Sequence, residues 1–325
     1  MLRVGTLCFA IERGLGYLAK SFYDAGVVTD VAVLCHGSIP DQMQWYPDAL
    51  HITTKPWLNQ ELKALVRSVD VMLFFETAFE WKIIDYARSH NVKTVLMPMY
   101  ECTPDPLPYV PDLFLCPSLL DTSYYPDNSV ALPVPVDERD IKLWKLRTRA
   151  HTFVHNSGHI GLQNRSGTRE VVKAVRYLES QANIIIRSQT KEIRRFSKVI
   201  NSTVPYEELR KDCDVCLAPE RFNGLSLPLQ ESYAQGLLVM TTDRYPTNKW
   251  LSSDPLIPVA HYETIKAHNR ARQIEAAVVD PKTIAKTIDA WYDRDITKYS
   301  LQGKQWASEN TWDILKPKYI EELAK

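Results

Sequence analysis

Apolar and polar positions in the first half of the chain form short apolar runs that alternate with stretches of helix-like spacing. Runs such as residues 69–75 and 113–116 have the length of buried strands. The predicted strands cover residues 3–9, 31–35, 50–53, 69–75, 94–97 and 113–116, and the predicted helices cover residues 17–25, 60–66 and 81–90. This alternation predicts a parallel sheet with helices on both faces.

The alternation restarts after segment 131–137, whose prolines favour extended geometry. The predicted strands cover residues 152–156, 183–187, 215–218 and 238–242, and the predicted helices cover residues 168–180, 206–211, 229–235, 281–291 and 306–323. We therefore predict a first domain at residues 1–133 and a second domain at residues 134–305. We expect the last helix, at residues 306–325, to return to the first domain.

The charges balance, because the 325 residues include 39 Lys+Arg and 39 Asp+Glu. This excludes a dominant interaction with bulk nucleic acid or an anionic membrane and leaves local patches open. No apolar run approaches the roughly 18 residues of a transmembrane helix, and the start of the chain has the pattern of a strand and not of a signal peptide. We expect a cytoplasmic protein without stable membrane insertion.

The chain has 6 cysteines, most of them in or beside apolar runs, where a free cysteine behaves as a small buried hydrophobe. Cys213 and Cys216 form a CxxC pair, but a second pair that would complete a zinc site is missing from the sequence. We predict neither a disulfide framework nor a metal site.

Glycine is scarce, with 11 residues, so its positions are informative. Turns from a strand into a helix are the places where an α/β fold exposes backbone amides to a ligand. Seven glycines lie in or beside three predicted turns of this kind: Gly14, Gly16, Gly158, Gly161, Gly167, Gly224 and Gly236. We expect ligand contacts at these turns.

The turn after predicted strand 215–218 opens a helix with Pro228 in its first turn, where the missing N–H costs nothing. The backbone amides of Gly224, Leu225 and Ser226 would point outward at the positive end of this helix, which suits a diphosphate or sugar hydroxyls. Glu231 lies about one turn into the helix. A carboxylate there can accept hydrogen bonds from two ribose hydroxyls.

Two stretches of the second half carry a family pattern. Residues 153–174 read FVHNSGHIGLQNRSGTREVVKA, and residues 206–243 contain NGLSLPLQESYAQG from Asn223 to Gly236. Together they resemble the nucleotide-sugar half of GT-B glycosyltransferases, specifically the large retaining group called family four. The resemblance covers about residues 150–320. It implies an α/β fold of two doubly wound Rossmann-like domains facing a cleft, no metal, no cofactor, and a nucleotide-diphosphate sugar as donor, expected to be a UDP-sugar.

Three positions depart from the family pattern. Asn223 stands where the pattern has a glutamate, and His159 and Ser166 stand where it has a phosphate-binding Arg and Lys. The charge of a diphosphate still needs compensation, so Arg165 or Arg169 is expected to replace them.

We predict three catalytic residues, which are Asn223, Arg165 and Glu101. With no carboxylate at position 223, the resemblance implies front-face transfer with retention, in which the leaving diphosphate helps to deprotonate the acceptor. Glu101 follows predicted strand 94–97 and is our candidate for an acid on the acceptor side. Donor contacts are predicted at Gly14, Gly16, Gly158, His159, Arg169, Gly224, Leu225, Ser226 and Glu231.

Two alternative functions stay open. A DNA-modifying glycosyltransferase acting on a hydroxylated base would need a basic cleft, which residues 194–198, 210–211 or 270–272 could supply. A catalytically impaired sugar-nucleotide-binding protein would explain the uncharged or weakly charged residues at positions 159, 166 and 223. The acceptor is open among a glycan, a small molecule and a modified nucleic-acid base.

Overall fold

The computed structural model describes residues 2–12, 14–35, 37, 41–52, 57–125, 127–158, 164–188, 199–201, 204–251, 255–266 and 272–325. The chain divides into two compact units. The first comprises Met1–Pro135, Asn269–Arg272 and Trp312–Lys325, and the second comprises Val136–His268 and Gln273–Thr311.

A seven-stranded, fully parallel sheet forms the centre of the first unit, with strand order β3-β2-β1-β4-β5-β6-β7. The strands are β1 (Val4–Cys8), β2 (Asp30–Leu34), β3 (Leu50–Ile52), β4 (Val71–Glu76), β5 (Lys93–Pro98), β6 (Leu113–Cys116) and β7 (Ser129–Ala131). All residues of β1 are buried. Helices cover both faces of a parallel sheet, which is why its central strands are continuous apolar runs.

The helices of this unit, among its described residues, are α1 (Gly14–Asp24), α2 (Gln60–Arg67), α3 (Lys82–Arg88), α4 (Leu119–Tyr124) and α11 (Trp312–Ala324). Helix α2 begins where the Asn59 side chain accepts a 2.8 Å hydrogen bond from the Leu62 amide, a typical N-cap. Helix α11 is fixed to α1 through Trp312, whose indole Nε1 donates to Ser21 Oγ at 2.7 Å. The last helix therefore belongs to the core of the first unit.

The second unit is built on six parallel strands in the order β10-β9-β8-β11-β12-β13. The strands are β8 (Thr152–Gly158), β9 (Asn183–Ser188), β10 (Val199–Asn201), β11 (Val215–Ala218), β12 (Leu238–Thr242) and β13 (Leu256–Ile257). The helices are α5 (Glu138–Lys142), α6 (Thr168–Ala174), α7 (Leu227–Ala234), α8 (Thr247–Trp250), α9 (Pro281–Trp291) and α10 (Thr297–Glu309). An antiparallel pair, β14 (His261–Lys266) and β15 (Gln273–Val278), completes the described elements.

The predicted α/β class with parallel sheets is confirmed, but three predicted elements are wrong. The single helix expected at 306–323 is two helices, since the chain leaves helical geometry at Asn310, whose side chain donates to the Trp306 carbonyl at 2.8 Å. The helix expected at 206–211 is only a 3₁₀ turn, Tyr206–Glu208. The helix expected at 168–180 ends at Ala174 and continues as a short 3₁₀ turn. The antiparallel pair β14–β15 was not predicted, because β14 is mostly exposed and lacks an apolar run.

Candidate donor site

The two stretches that carry the family pattern lie against each other in the second unit. Strands β8 and β11 are neighbours, so the loops at their carboxyl ends share one edge of the sheet. The Arg221 amide in the second loop donates to the Arg165 carbonyl in the first at 2.8 Å. Gly167 makes this approach possible, since its φ is +71° and a Cβ there would lie 2.2 Å from the Pro219 oxygen. The described part of the β8–α6 loop, residues 164–167, therefore lies against the β11–α7 loop.

The β11–α7 loop is held by side chains of its own. Asn223 Nδ2 donates to Glu220 Oε1 at 3.3 Å, and Asn223 Oδ1 accepts from the Ser226 amide at 3.2 Å. Ser226 Oγ donates to the same Glu220 oxygen at 2.7 Å. Glu220, Asn223 and Ser226 are all buried. The Asn223 amide, predicted to be catalytic, is thus engaged in shaping the loop.

Arg244, just after β12, is the counter-ion of this loop and is itself buried. Its Nη2 lies 3.5 Å from Glu220 Oε2 and donates to the Asn223 carbonyl at 2.9 Å. Its Nε donates to the Glu220 carbonyl at 3.2 Å. A buried carboxylate needs such a partner. Arg244 therefore balances the charge of Glu220 and also holds the main chain of the loop in place.

Helix α7 begins at this loop and directs its first amides toward the same place. In the part of the chain that the structure describes, the amides of Gly224, Leu225 and Leu227 have no intramolecular acceptor. The Ser226 amide, which the sequence analysis expects to face a ligand, instead donates to Asn223. Unpaired amides at the positive end of a helix suit an anion or sugar hydroxyls.

Glu231 lies one turn further along α7, and 21% of its side chain is exposed. Its Oε2 accepts a 2.5 Å hydrogen bond from Nη2 of Arg210. Within the described ranges, Oε1 has no partner. One oxygen of this carboxylate is therefore engaged inside the protein, and the other is available to a ligand.

A second acid, Asp140 on α5, lies behind Glu231 and Arg210. Asp140 Oδ1 accepts hydrogen bonds from Tyr206 Oη at 2.9 Å and from Gln235 Nε2 at 2.7 Å. Burial, and then the negative charge of Glu231, raise the pKa of Asp140 to about 7. Asp140 is thus close enough to Glu231 and Arg210 for both charges to act on its pKa.

A chain of hydrogen bonds connects His155 in strand β8, Thr168 at the start of α6 and Ser166 in the loop between them. Burial lowers the pKa of His155 to about 4, so the imidazole is neutral. Its Nδ1 faces the Leu217 carbonyl at 2.8 Å and must carry the proton, so Nε2 accepts from Thr168 Oγ1 at 2.8 Å. Thr168 can then only accept from Ser166 Oγ, which lies 2.8 Å away. The Ser166 hydroxyl proton is therefore directed into the protein.

The remaining predicted residues of this loop differ in accessibility. Gly158 ends strand β8, and Arg165 is half-buried. Arg169 is exposed on α6, and its amide donates to Asn164 Oδ1 at 3.1 Å. His159 lies outside the described residues. Their roles as donor contacts stay predictions.

Three predicted residues belong to the first unit. Gly14 is exposed at the start of α1, whereas Gly16 is buried where a Cβ would lie 1.9 Å from the Ile11 oxygen. Position 16 therefore needs a glycine because the main chain of Ile11 packs closely against it. Glu101 is buried, with 1% of its surface exposed, and its role as an acid on the acceptor side stays a prediction. Its charge, after burial, contributes to raising the pKa of the neighbouring Asp121 to about 7.

Four residues that support the candidate donor site carry no predicted role in it: Glu220, Arg244, Arg210 and Asp140. Glu220 and Arg244 each lie two residues after a strand, β11 and β12, and this position near the end of a parallel strand is a signal that could have identified them. Arg210 and Asp140 carry no such signal. A single charged residue in a polar segment is typical of a solvated surface, and only tertiary packing buries these two.

Solved structures with similar folds are glycosyltransferases. A glycosyltransferase from Rickettsia africae matches 100% of this chain and 99% of its own, with a TM-score of 0.67 and 12% identity. Anabaena HepE in complex with UDP matches 100% of both chains, with a TM-score of 0.70 and 10% identity. This chain has the GT-B fold. Sucrose-phosphate synthase from Thermosynechococcus elongatus matches 99% of this chain and 98% of its own, with a TM-score of 0.65 and 12% identity.

No protein-family model matches this GT-B chain, and no curated protein matches it significantly in sequence. Among the described helices, none is long and apolar enough to cross a membrane. The described residues also contain no group of three or more His, Cys, Asp or Glu side chains that could hold a metal ion. Cytoplasmic location and metal independence stay predictions.

Proposed function

We propose that this chain is a glycosyltransferase that takes a sugar from a nucleoside diphosphate sugar, with a UDP-sugar as the expected donor. The observation that carries the proposal is the start of α7. The amides of Gly224, Leu225 and Leu227 have no acceptor among the described residues, and Glu231 offers a carboxylate oxygen one turn away. The shared fold supports it, since a HepE structure holds UDP and glucose.

In this proposal the amides of the β11–α7 loop bind the diphosphate, and Glu231 Oε1 accepts a hydrogen bond from a ribose hydroxyl. Arg165 is our candidate for compensating phosphate charge, since its main chain is fixed to Arg221 beside that loop. Arg169 and His159 are proposed as further donor contacts from the same loop. Gly14, Gly16 and Glu101 of the first unit stay predictions.

We further propose that transfer retains the anomeric configuration. The side chain nearest the family's glutamate position is Asn223, and an amide cannot act as the nucleophile of a double displacement. Front-face transfer is then expected, in which the leaving diphosphate helps to deprotonate the acceptor hydroxyl. The protein's contribution is to position the donor and to stabilise negative charge on the phosphate oxygens.

The test is an assay of hydrolysis and transfer with UDP-, GDP- and ADP-sugars, offered glycans, small alcohols and hydroxylated DNA bases as acceptors. We expect turnover with at least one donor, and NMR of the first-formed product should show retention. Inversion would exclude the retaining mechanism, and binding of none of the nucleotides would exclude the function.

A second candidate, a sugar-nucleotide-binding protein with impaired catalysis, is favoured by one observation. The side chains of Asn223 and Ser166 are both engaged in internal hydrogen bonds, at positions where the family pattern has charged residues. This candidate predicts donor binding without turnover in the same assay.

The DNA-modifying alternative gains no support from the described residues. Arg210 and Arg272 are buried, and Lys211 is paired with Glu208 at 3.0 Å. The basic residues at 194–198 lie outside the described part of the chain. The acceptor assay nevertheless includes DNA and so decides the question.

A further inference from the structure

Arg210 is buried in the second unit, although the residue that follows it is exposed. Its side chain is 2% exposed, whereas that of Lys211 is 59% exposed. It lies in the segment between the 3₁₀ turn Tyr206–Glu208 and strand β11. Burying a guanidinium is costly unless its charge and its N–H groups have partners. The partners of Arg210 therefore indicate what the burial achieves.

Two of the three guanidinium nitrogens, Nε and Nη2, are fixed on helix α7, whereas the buried Nη1 has no hydrogen-bond partner among the described residues. Nη2 donates to Glu231 Oε2 at 2.5 Å, and Nε donates to Ser232 Oγ at 2.9 Å. Ser232 Oγ in turn donates to the Pro228 carbonyl at 2.6 Å, in the first turn of the helix. Because the guanidinium is a rigid planar fork, anchoring Nε on Ser232 determines where Nη2 meets the Glu231 carboxylate.

This arrangement selects one orientation of the Glu231 side chain. A glutamate on a helix surface ordinarily samples several rotamers, and ordering it costs conformational entropy. Here Oε2 is held and a fifth of the side chain remains exposed, with 21% accessible. The carboxylate is thus ordered before any ligand arrives, which lowers the cost of binding.

We propose that Arg210 is a positioning residue for the donor: it holds Glu231 so that Oε1 faces a ribose hydroxyl, and so makes the site prefer a ribonucleotide. The inference rests on the proposed function, in which Glu231 binds the ribose of a nucleoside diphosphate. Arg210 itself does not touch the nucleotide. Its effect on affinity therefore requires both Glu231 and the ribose hydroxyls.

The experiment is calorimetric titration with UDP and with 2′,3′-dideoxyuridine diphosphate, on the wild type, Arg210→Lys, Glu231→Ala and the double variant. Lysine keeps the charge but cannot anchor on Ser232 and reach Glu231 as a fork. We expect Arg210→Lys to lower the affinity for UDP about tenfold, on the order of the contribution of one charge-assisted hydrogen bond. The same substitution should weaken binding of the dideoxy compound less than about twofold. In the double variant, Arg210→Lys should weaken UDP binding no further than Glu231→Ala alone does.

Arg147→Lys is the matched control. Arg147 is also a buried arginine of the second unit, but its acceptors are main-chain carbonyls, of Lys145, Arg210 and Cys213. We expect this variant to leave the ratio of UDP to dideoxy-UDP affinity unchanged. If Arg210→Lys does not fold, Ser232→Ala removes the Nε anchor, together with the hydrogen bond from Ser232 Oγ to the Pro228 carbonyl, and should still lower the ratio, by about threefold.

The outcomes separate this inference from the proposed function. If Arg210→Lys, or Ser232→Ala in its place, weakens both ligands equally or leaves both unchanged while the wild type binds UDP, the positioning role is wrong and the proposed function stands. An additional loss in the Glu231→Ala background would also overturn the role. A wild type that binds none of UDP, GDP and ADP would overturn the proposed function, and the inference with it.

Discussion

The hydroxyl of Ser226 donates a 2.7 Å hydrogen bond to Glu220 Oε1, six residues earlier in the chain. Ser226 has a φ of 48°, in the left-handed region that residues other than glycine rarely adopt. The loop therefore needs side-chain bonds to keep its shape. Glu220 supplies an acceptor for both Ser226 and Asn223, and Arg244 balances its charge. The stability of the loop thus depends on one buried carboxylate.

Replacing Glu220 by alanine should destabilise the protein strongly. It leaves the Arg244 cation buried without its carboxylate and removes the acceptor of Ser226 Oγ. Breaking a buried pair in this way costs about 3–5 kcal/mol. We expect a fall of that size in the free energy of unfolding, measured by urea denaturation.

Glu138→Ala is the control for the Glu220 variant. Glu138 pairs with Lys142 on the surface of α5, where both side chains are more than 70% exposed (77% and 74%). Such a pair contributes only about 0.3–0.5 kcal/mol. Similar losses in the two variants would show that the Glu220–Arg244 pair does not stabilise the loop.

Asn223→Asp should make stability depend on pH. It places a second carboxyl group at the position of Nδ2, 3.3 Å from Glu220 Oε1. Two buried carboxylates this close cannot both ionise, so the pKa of one is raised above its unfolded value. The folded variant then holds a proton that the unfolded chain loses, and stability falls as pH rises through the raised pKa. The melting temperature relative to wild type should be lower at pH 8 than at pH 5, whereas Asn91→Asp at an exposed site should show no such trend.

Asp140 should give the wild type a pH dependence of the same sign. Burial and Glu231 raise its pKa to about 7, while Arg210, Gln235 and Tyr206 oppose the rise. Between about pH 4 and pH 7 the folded protein therefore binds more protons than the unfolded chain, and the free energy of unfolding falls as pH rises.

Asp140→Asn imitates the protonated acid and keeps an oxygen that can accept from Tyr206 and Gln235. The variant should lose less stability than the wild type between pH 5 and pH 8, by on the order of 1–3 kcal/mol. Denaturation at a series of pH values measures this. The slope should not vanish, because Asp121 in the first unit also has a pKa raised to about 7. Parallel profiles would mean that Asp140 does not titrate in this range.

The regular part of the fold could be predicted from the sequence, because parallel strands buried on both faces are apolar runs with clear ends. Strands β6, β11 and β12 have the predicted bounds. The failures lie where a side-chain contact, and not the pattern of apolar residues, ends an element. At Asn310 a side chain closes α10 and the chain turns, and no glycine or proline marks the break.

Of the candidate donor site, only the backbone pattern could be predicted from the sequence. The positions of Gly224, Pro228 and Glu231 in the sequence predict a helix that begins near residue 227, where α7 begins in the structure. The charged residues that hold this loop could not be found in the same way. Arg210 stands in a segment rich in charged residues and resembles a surface arginine, and its burial depends on Ser232 and Glu231, which are distant in sequence.

Gly167→Ala tests whether contact between the β8–α6 and β11–α7 loops is needed for donor binding. The new Cβ would lie 2.2 Å from the Pro219 oxygen, and alanine would also have to adopt a φ of +71°. Either Pro219 or the start of α6 must move, which would break the 2.8 Å bond from the Arg221 amide to the Arg165 carbonyl. We expect a loss of about 2–6 kcal/mol in the free energy of unfolding, from backbone strain and overpacking together, and weaker UDP binding.

Gly26→Ala separates these two causes. Gly26 has nearly the same backbone conformation, with a φ of +66°, but the nearest atom to its Cβ would be the flexible Lys316 Nζ at 3.6 Å. This variant should therefore show the strain alone, about 1 kcal/mol, and unchanged UDP affinity. The excess loss at Gly167 then measures the close approach of the two loops. If both variants lose the same stability and both bind UDP as the wild type does, the loops can separate without harm, and their contact is not part of the donor site.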